Sequence, residues 1–365
     1  MLKVAFSNQV FLTQKFGGAS RYFCELFSAL IRLGQIDCKI IAPIHFNTYL
    51  NELSLPGNLY SPISTPMFKF NSMSQRISKE ISSIRFKKYN PDLIHQTYYA
   101  PYQKFDSKKI IILTVFDMTH EKFSPYSKII NAKHSAINNA DHIICISNST
   151  KYDLMEIYGV DENKISVIGL GVSKIFTGNS QTKVLGSRKR MLVFVGQRNG
   201  YKNFDSFVKA YAFSDFLRNN FQITVFGGGE FTNNEIDLFK VLKVSNNIIK
   251  MDGNDLVLNR ILTDSIALVY PSKYEGFGIP ILEAMAAGCI VFTSNTSSMP
   301  EVGGSSAIYF NPNSVDMISK VIESNLQGDL KSLDVIQKSA VLWSKEFSWD
   351  ICALKTNNVY RMVSA

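Results

Sequence analysis

No uninterrupted apolar run in the 365 residues is long enough to cross a bilayer, and the opening Met1-Leu2-Lys3-Val4-Ala5-Phe6 is too short for the core of a secretion signal. The chain reads as neither integral to a membrane nor secreted. Cysteine is sparse: Cys24, Cys38, Cys145, Cys289 and Cys352 are odd in number and form no C-x-x-C, which argues against a disulfide framework and against a zinc site. They read as reduced, mostly buried thiols of a cytosolic protein. No internal repeat or low-complexity tract is present. The glycine patterns of hydride-transfer enzymes are also missing. Gly227-Gly228-Gly229 continues into Glu230-Phe231-Thr232 with no third glycine where G-x-G-x-x-G needs one, Gly169-Leu170-Gly171 fails in the same way, and no G-x-x-x-x-G-K-[ST] loop occurs.

What is present fits an α/β protein of two domains. A chain of 365 residues exceeds one ordinary core, and its apolar fraction of 45% is globular. The formal charge of +9 and pI near 9.1 point to an anionic partner: nucleotide diphosphates, anionic lipid or nucleic acid. Short β-branched or apolar runs alternate with helical patterns at 3–6, 38–42, 93–95, 110–115 and 142–146, then again at 191–195, 222–226, 248–250, 267–270 and 290–293. Such alternation predicts parallel sheets covered on both faces, hence two Rossmann-like domains. Residues 173–189 are polar, glycine-containing and basic, as a linker would be, which separates a domain over 1–172 from one over 190–345. In open α/β sheets ligands bind beyond the carboxyl ends of the strands, so the candidate motifs are those that follow predicted strands.

The most informative stretch is Pro271-Ser272-Lys273-Tyr274-Glu275-Gly276-Phe277-Gly278-Ile279-Pro280-Ile281-Leu282-Glu283-Ala284-Met285-Ala286-Ala287-Gly288. Pro280 suits a first helical position and Gly288 a left-handed stop, which predicts a short helix over 281–287 with Glu283 in its first turn and Glu275 in the preceding loop. The backbone N–H groups of Gly278 and Ile279 would face an anion at the positive end of the helix. An ionised glutamate on either side is a poor phosphate ligand but a good acceptor for sugar and ribose hydroxyls.

This run resembles the E-x7-E signature of retaining glycosyltransferases with the GT-B fold, in particular glycosyltransferase family 4, and is similar to bacterial O-antigen and polysaccharide mannosyltransferases. The resemblance implies two Rossmann-like domains with parallel sheets facing across a cleft, and a C-terminal helix, within 346–365, that returns to the N-terminal domain. It implies a nucleotide-sugar donor, with GDP-mannose favoured and UDP or dTDP still open. Glu283 is assigned to the ribose, Glu275 to the donor sugar, and Gly276, Phe277, Gly278 and Ile279 to the backbone around sugar and phosphate. Val195-Gly196-Gln197-Arg198-Asn199-Gly200-Tyr201-Lys202-Asn203-Phe204 resembles the segment that sets an arginine and a lysine on the diphosphate, so Arg198 and Lys202 are expected to stabilise the leaving group. Gly227, with Gly253 and Asn254 in Met251-Asp252-Gly253-Asn254, is placed around the nucleotide. In the first domain Gly17 and Gly18 resemble a second glycine-rich anion loop. Where many relatives carry His-Asp after a strand, this chain has Phe116-Asp117, leaving Asp117 in place and His120 or Glu121 as substitutes for the missing histidine. No Asp-x-Asp occurs, so the metal used by the other major glycosyltransferase fold is not expected.

Residues 67–89 are strongly basic, with Ile77, Ile81 and Ile84 at helical spacing among Lys69, Arg76, Lys79, Arg85, Lys87 and Lys88. This is either a helix lying on an anionic inner membrane surface or one packed on its sheet with a solvated cationic face. The resemblance favours the membrane, since the acceptors it implies are polyprenyl-diphosphate-linked glycans, and it gives no role to nucleic acid. A peripheral protein on the cytoplasmic face of the inner membrane is therefore expected. A nucleotide-sugar epimerase on the same fold and a non-catalytic donor-binding subunit are the rivals. Ser147 or Ser149 in Ser147-Asn148-Ser149-Thr150-Lys151 is expected to cap a helix.

Overall fold

Two series of short strands, most of them followed by a helix, build two six-stranded sheets in which every pairing is parallel. The computed structural model describes residues 1–53, 63–64, 72–99, 109–124, 127–177, 183–198, 200–328 and 330–365, with main chain alone at 63–64, 72–76 and 330. The chain divides into two compact units, Met1–Gly171 together with Trp349–Ala365, and Val172–Ser348.

In the first unit the strands are β1 (Lys3–Phe6), β2 (Asp37–Ile40), β3 (Leu93–Gln96), β4 (Ile110–Val115), β5 (His142–Cys145) and β6 (Ile165–Val167), in the order β2-β1-β3-β4-β5-β6. Strands β3 and β5 are buried along their whole length, as expected where helices cover both faces. The Gly18–Leu33 helix ends at Gly34, which takes the left-handed φ of 66° that closes a helix without a Cβ penalty. Against it lies the Trp349–Val363 helix, through the rings of Tyr22 and Trp349 at 5.9 Å and an Arg32–Asp350 ion pair of 2.6 Å. The last helix thus belongs to the first unit, as the resemblance implied. Ser147 accepts from Thr150 N and caps the Asn148–Tyr158 helix, the residue type and place expected.

The second unit holds β7 (Lys189–Val195), β8 (Gln222–Phe226), β9 (Ile248–Met251), β10 (Ser265–Tyr270), β11 (Ile290–Ser294) and β12 (Ile308–Phe310), ordered β9-β8-β7-β10-β11-β12. Its core joins Phe194, Phe204, Phe207, Tyr211 and Phe239 to the inward residues of these strands. Strands β6 and β12 have three residues each and close one edge of their sheets. Neither was among the apolar runs that predicted the strands.

The stretch 173–189 departs from its expected role. Its described residues lie within the second unit: Lys174–Thr177 is helical, and the buried Arg188 donates to the carbonyls of Leu262, Ser265 and Ala287 at 2.9–3.0 Å. The basic composition that suggested a solvated linker includes an arginine that satisfies three buried carbonyls. Residues 178–182 lie outside the described residues.

The basic segment is helical over Ser72–Tyr89, while 67–71 lie outside the described residues. Its buried side is not the isoleucine stripe. Ser78, Ser82 and Phe86 face inward, and the Asn8 amide donates to both serine hydroxyls at 3.2 and 3.1 Å. Ile77 and Ile84 are 43% and 66% exposed, among the exposed Lys79, Lys87 and Lys88. Among the described residues no helix is long and apolar enough to cross a membrane.

Candidate active site

The second sheet has one topological switch point. Strands β8 and β9 extend it on one side of β7, and β10 starts the other side, so the loops after β7 and β10 leave the sheet side by side. Every residue of Tyr201-Lys202-Asn203-Phe204 ties these loops together or to the core. The Tyr201 carbonyl accepts from Lys273 N at 2.7 Å. Asn203 adopts a left-handed φ of 59°, tolerated by asparagine, and its amide donates to Pro271 O (3.0 Å) and Pro312 O (2.8 Å). Phe204 packs on Phe194 at 4.8 Å between ring centroids. Lys202 Nζ, thereby aimed across the switch point, bonds both oxygens of Glu275 at 2.7 and 3.0 Å. Burial opposes the ammonium's charge, but the Tyr270 hydroxyl and Glu275 beside it outweigh that and raise its pKa above the ordinary lysine value.

Past Glu275 the loop turns into a helix over Ile279–Ala286, with Gly278 at φ 107° before it and Gly288 at φ 70° after it. The glycine stop is as expected, and the start lies two residues earlier than expected. Pro280 therefore occupies the second helical position, and the buried Glu283 falls in the second turn rather than the first. The loop itself is held by residues that sequence reading passed over. Thr296, Ser297 and Ser298, in the turn after β11, place their hydroxyls on the carbonyls of residues 273–277. A run of small polar residues after a buried strand was the available signal, and it reads only as a loop.

Arg198 does not stand as expected. Its Nε donates to Glu235 (2.6 Å), Nη1 to Gly227 O and Gly229 O (3.1 and 3.2 Å), and Nη2 to Glu230 O and Glu235 (2.7 and 3.4 Å). All five guanidinium N–H groups are engaged by protein, leaving none for a phosphate in this arrangement. The Arg198 and Glu235 side chains are only 4% and 11% exposed. Although burial works the other way, the bonds from Arg198 and Thr232 hold the Glu235 carboxyl below its ordinary pKa. What Arg198 fixes is the glycine loop after β8, where Gly227, Gly228 and Gly229 all have φ of 75–78°. A Cβ on Gly228 would come within 2.6 Å of Gly196 O and 2.7 Å of Arg198 Nη1. Gly253 and Asn254 follow the adjacent β9, whose Met251 carbonyl accepts from Gly227 N at 3.0 Å. Asn254 caps the Asp255–Asp264 helix through Val257 N, and a Cβ on Gly253 would collide with the Val257 side chain at 2.7 Å.

Comparison with known proteins adds two matches that together run through most of the chain: "Glycosyltransferase Family 4" over residues 16–174 and "Glycosyl transferases group 1" over 177–341. The chain thus carries two glycosyltransferase domains, the first of family 4 and the second of group 1. It is 26% identical to O-antigen chain mannosyltransferase B of Escherichia coli over 240 residues, a match that spans 63% of either protein. Among solved structures, a glycosyltransferase of Rickettsia africae is 21% identical with a TM-score of 0.74, covering 99% of this chain and 98% of that one. An Anabaena protein, Alr3699/HepE, solved with UDP and glucose, is 14% identical with a TM-score of 0.72, covering 99% and 100%. These likenesses to solved structures establish the GT-B fold.

The remaining expected site residues of this glycosyltransferase lie in the first unit. Gly17 precedes the Gly18–Leu33 helix, and the Gln14 side-chain oxygen already accepts from Ser20 N at 3.1 Å in its first turn. An anion at that helix start would have to displace Gln14, which also sits 2.3 Å from where a Gly17 Cβ would be. Gly18 has open space around it. Asp117 follows β4, and its carboxylate accepts at 2.9 Å from the N–H of Thr119, the first residue of the Thr119–Phe123 helix that carries His120. Glu121, weighed as a stand-in for the missing histidine, is instead bound by the fully buried Lys133 (2.9 Å) and by Tyr158 OH (2.6 Å). Lys133 also donates to Asp117 O at 2.8 Å and so fixes the turn.

Proposed function

We propose that the chain is a retaining, metal-independent hexosyltransferase of bacterial surface polysaccharide (O-antigen) assembly, with GDP-mannose the favoured donor and a lipid-linked glycan the acceptor. The observation that carries this reading is the Lys202–Glu275 pair at the switch point, beside a glycine-flanked helix start. Lys202 has three N–H donors and would help to hold a diphosphate on the helix start at Gly278 and Ile279. It would stabilise the charge that develops as the bond from sugar C1 to the β-phosphate oxygen breaks. Glu275 would accept from donor sugar hydroxyls and Glu283 from the ribose. The acceptor hydroxyl oxygen bonds C1 on the face the phosphate leaves, and its proton passes to a phosphate oxygen, so no protein nucleophile is consumed. The sugar assignment is supported by the mannosyltransferase relative, and a nucleotide-sugar donor by the neighbour solved with UDP and glucose.

The acceptor side of the reading draws on the Ser72–Tyr89 helix. With its serine face turned inward, the helix leaves Ile77 and Ile84 in water among lysines, the arrangement of a helix that rests on an anionic leaflet. The protein would work on the cytoplasmic face of the inner membrane.

A thermal-shift panel of GDP-mannose, UDP-glucose and a dTDP-sugar tests the donor. A donor at a hundred times its dissociation constant should add about 2.7 kcal/mol of stability. The same donor with a polyprenyl-diphosphate-linked glycan should give sugar transfer that survives a chelator. Absence of any shift and of any transfer would sink the reading, and sugar conversion without an acceptor would favour the epimerase.

A further inference from the structure

The loop that carries Glu275 is irregular and buried, and such a loop must find partners for its carbonyl groups. It finds them in three consecutive hydroxyls of the turn after β11, the strand paired with β10. Thr296 Oγ1 donates to Lys273 O at 3.0 Å, Ser297 Oγ to Glu275 O at 2.6 Å, and Ser298 Oγ to both Glu275 O (2.9 Å) and Phe277 O (2.8 Å). Alternate carbonyls of the loop are thus met by successive side chains of the turn. Glu275 is gripped at both ends of its own backbone, because its N–H donates to Ser297 Oγ at 3.3 Å. Ser297 adopts a left-handed φ of 55°, which non-glycine residues seldom take, and its hydroxyl both donates to Glu275 O and accepts from Glu275 N. Ser298 is fully buried, so water does not compete for its hydroxyl.

We propose that Ser297 and Ser298 are positioning residues for sugar transfer: they fix the backbone of Glu275 and so aim its carboxylate at the donor sugar. The inference rests on the glycosyl-transfer reading for what Glu275 does, though the clamp itself is a feature of the fold. Glu275 is restrained through its side chain by Lys202 and the Tyr270 hydroxyl, and through its backbone by the serines. A diphosphate that draws on the Lys202 ammonium would leave the backbone restraint in place. A displacement of about 1 Å at a reacting centre costs on the order of a hundredfold in rate.

The test compares Ser298→Ala, Ser298→Thr and the double variant Ser297→Ala/Ser298→Ala with the full-length wild type. Deuterium uptake over residues 273–279 should quicken by about tenfold or more in both alanine variants, since a hydroxyl bond lost at each site opens the loop. Transfer from the nucleotide sugar should fall about ten- to a hundredfold in kcat, while affinity for free nucleoside diphosphate changes by less than about threefold. Ser298→Thr, which keeps the hydroxyl, should restore both readouts. Unchanged uptake in the double variant would overturn the clamp. An equal loss of kcat, nucleoside diphosphate affinity and melting temperature would overturn the positioning role and leave general packing. If the wild type transfers no sugar, the function proposed above fails, and deuterium uptake still decides the clamp.

Discussion

The two sheets turn at comparable points and fill those points with opposite chemistry. In the first unit the order reverses between β1 and β3, and the residues that follow these strands, Ser7 and Thr97, bond one another. Thr97 N donates to Ser7 Oγ at 2.9 Å, Thr97 Oγ1 to Ser7 O at 3.1 Å, and the Gln9 amide oxygen takes the Ser7 hydroxyl. The groups that meet there are neutral hydroxyls and an amide. In the second unit the equivalent place holds a lysine ammonium on a glutamate, positioned by Asn203. A neutral network of hydroxyls makes few demands on its surroundings, whereas an ion pair taken from water is a weak source of stability. Connectivity alone therefore does not mark the site, and the side chains at the switch point do.

The largest effect expected from breaking this contrast comes from a residue that looks functional and acts structurally. Arg198→Ala should destabilise the protein by about 3–5 kcal/mol, because it leaves the Glu235 carboxylate buried without its cation and strips donors from three loop carbonyls. A denaturant midpoint measures this. If the variant stays as stable as wild type and loses only nucleotide affinity, Arg198 is a diphosphate ligand after all. Lys202→Ala, a few residues away, should do the reverse: fold with a modest stability loss and transfer sugar about 10²–10³-fold more slowly. Glu275→Gln should also slow transfer, yet bind free nucleoside diphosphate more tightly, since the ammonium is no longer held by a carboxylate. Steady-state kinetics and calorimetry separate these outcomes, and equal weakening of both ligands in Glu275→Gln would remove the exchange of partners from the account.

The same contrast shows what the sequence carried. Strands of four or more residues announce themselves by apolar runs, so both sheets were legible apart from the three-residue β6 and β12. The Glu275–Glu283 run was legible because proline and glycine punctuate a helix by local sterics, and the error of two residues at its start arose because Gly278, not a polar residue, precedes the helix. Lys202 was found as a cation after a strand. Arg198 was found for the same reason, but its protein partners were not legible, since whether a guanidinium meets a phosphate or the carbonyls of Gly227, Gly229 and Glu230 depends on how a loop some thirty residues away folds back. The clamp of Thr296, Ser297 and Ser298 was illegible because a hydroxyl's partner is a tertiary fact. The isoleucine stripe at 77, 81 and 84 followed the helical period, but the period does not say which face a helix buries, and here Asn8 selects the serines.

The smallest effect separates the units by pH. All five histidines, His45, His95, His120, His134 and His142, lie in the first unit. His95 is fully buried between Tyr360 OH (2.6 Å) and Thr114 Oγ1 (2.8 Å), and burial lowers its pKa to about 3. Burial likewise lowers His45 to about 4 and moves His142 down. A histidine kept neutral in the folded state binds fewer protons there than when unfolded, so stability falls as pH drops below about 6.5 and continues to fall toward the folded value. For His95 the slope is at most about 1.4 kcal/mol per pH unit. The shifted carboxylates of the second unit, Glu235 and Asp264, act only below their ordinary values of 4.5 and 3.8, where protonation removes the stability their depressed pKa supplies. Between pH 6.5 and 4.5 the first unit should therefore weaken and the second should hold. The two tryptophans report separately, since Trp349 belongs to the first unit and Trp343 to the second. The unfolding free energy followed by fluorescence in Trp343→Phe should fall by about 2 kcal/mol between pH 6.5 and 5.5, about half from His95 and half from His45, while that in Trp349→Phe stays level. Parallel loss in both would mean that the units unfold as one, and that the buried histidine is felt throughout the chain.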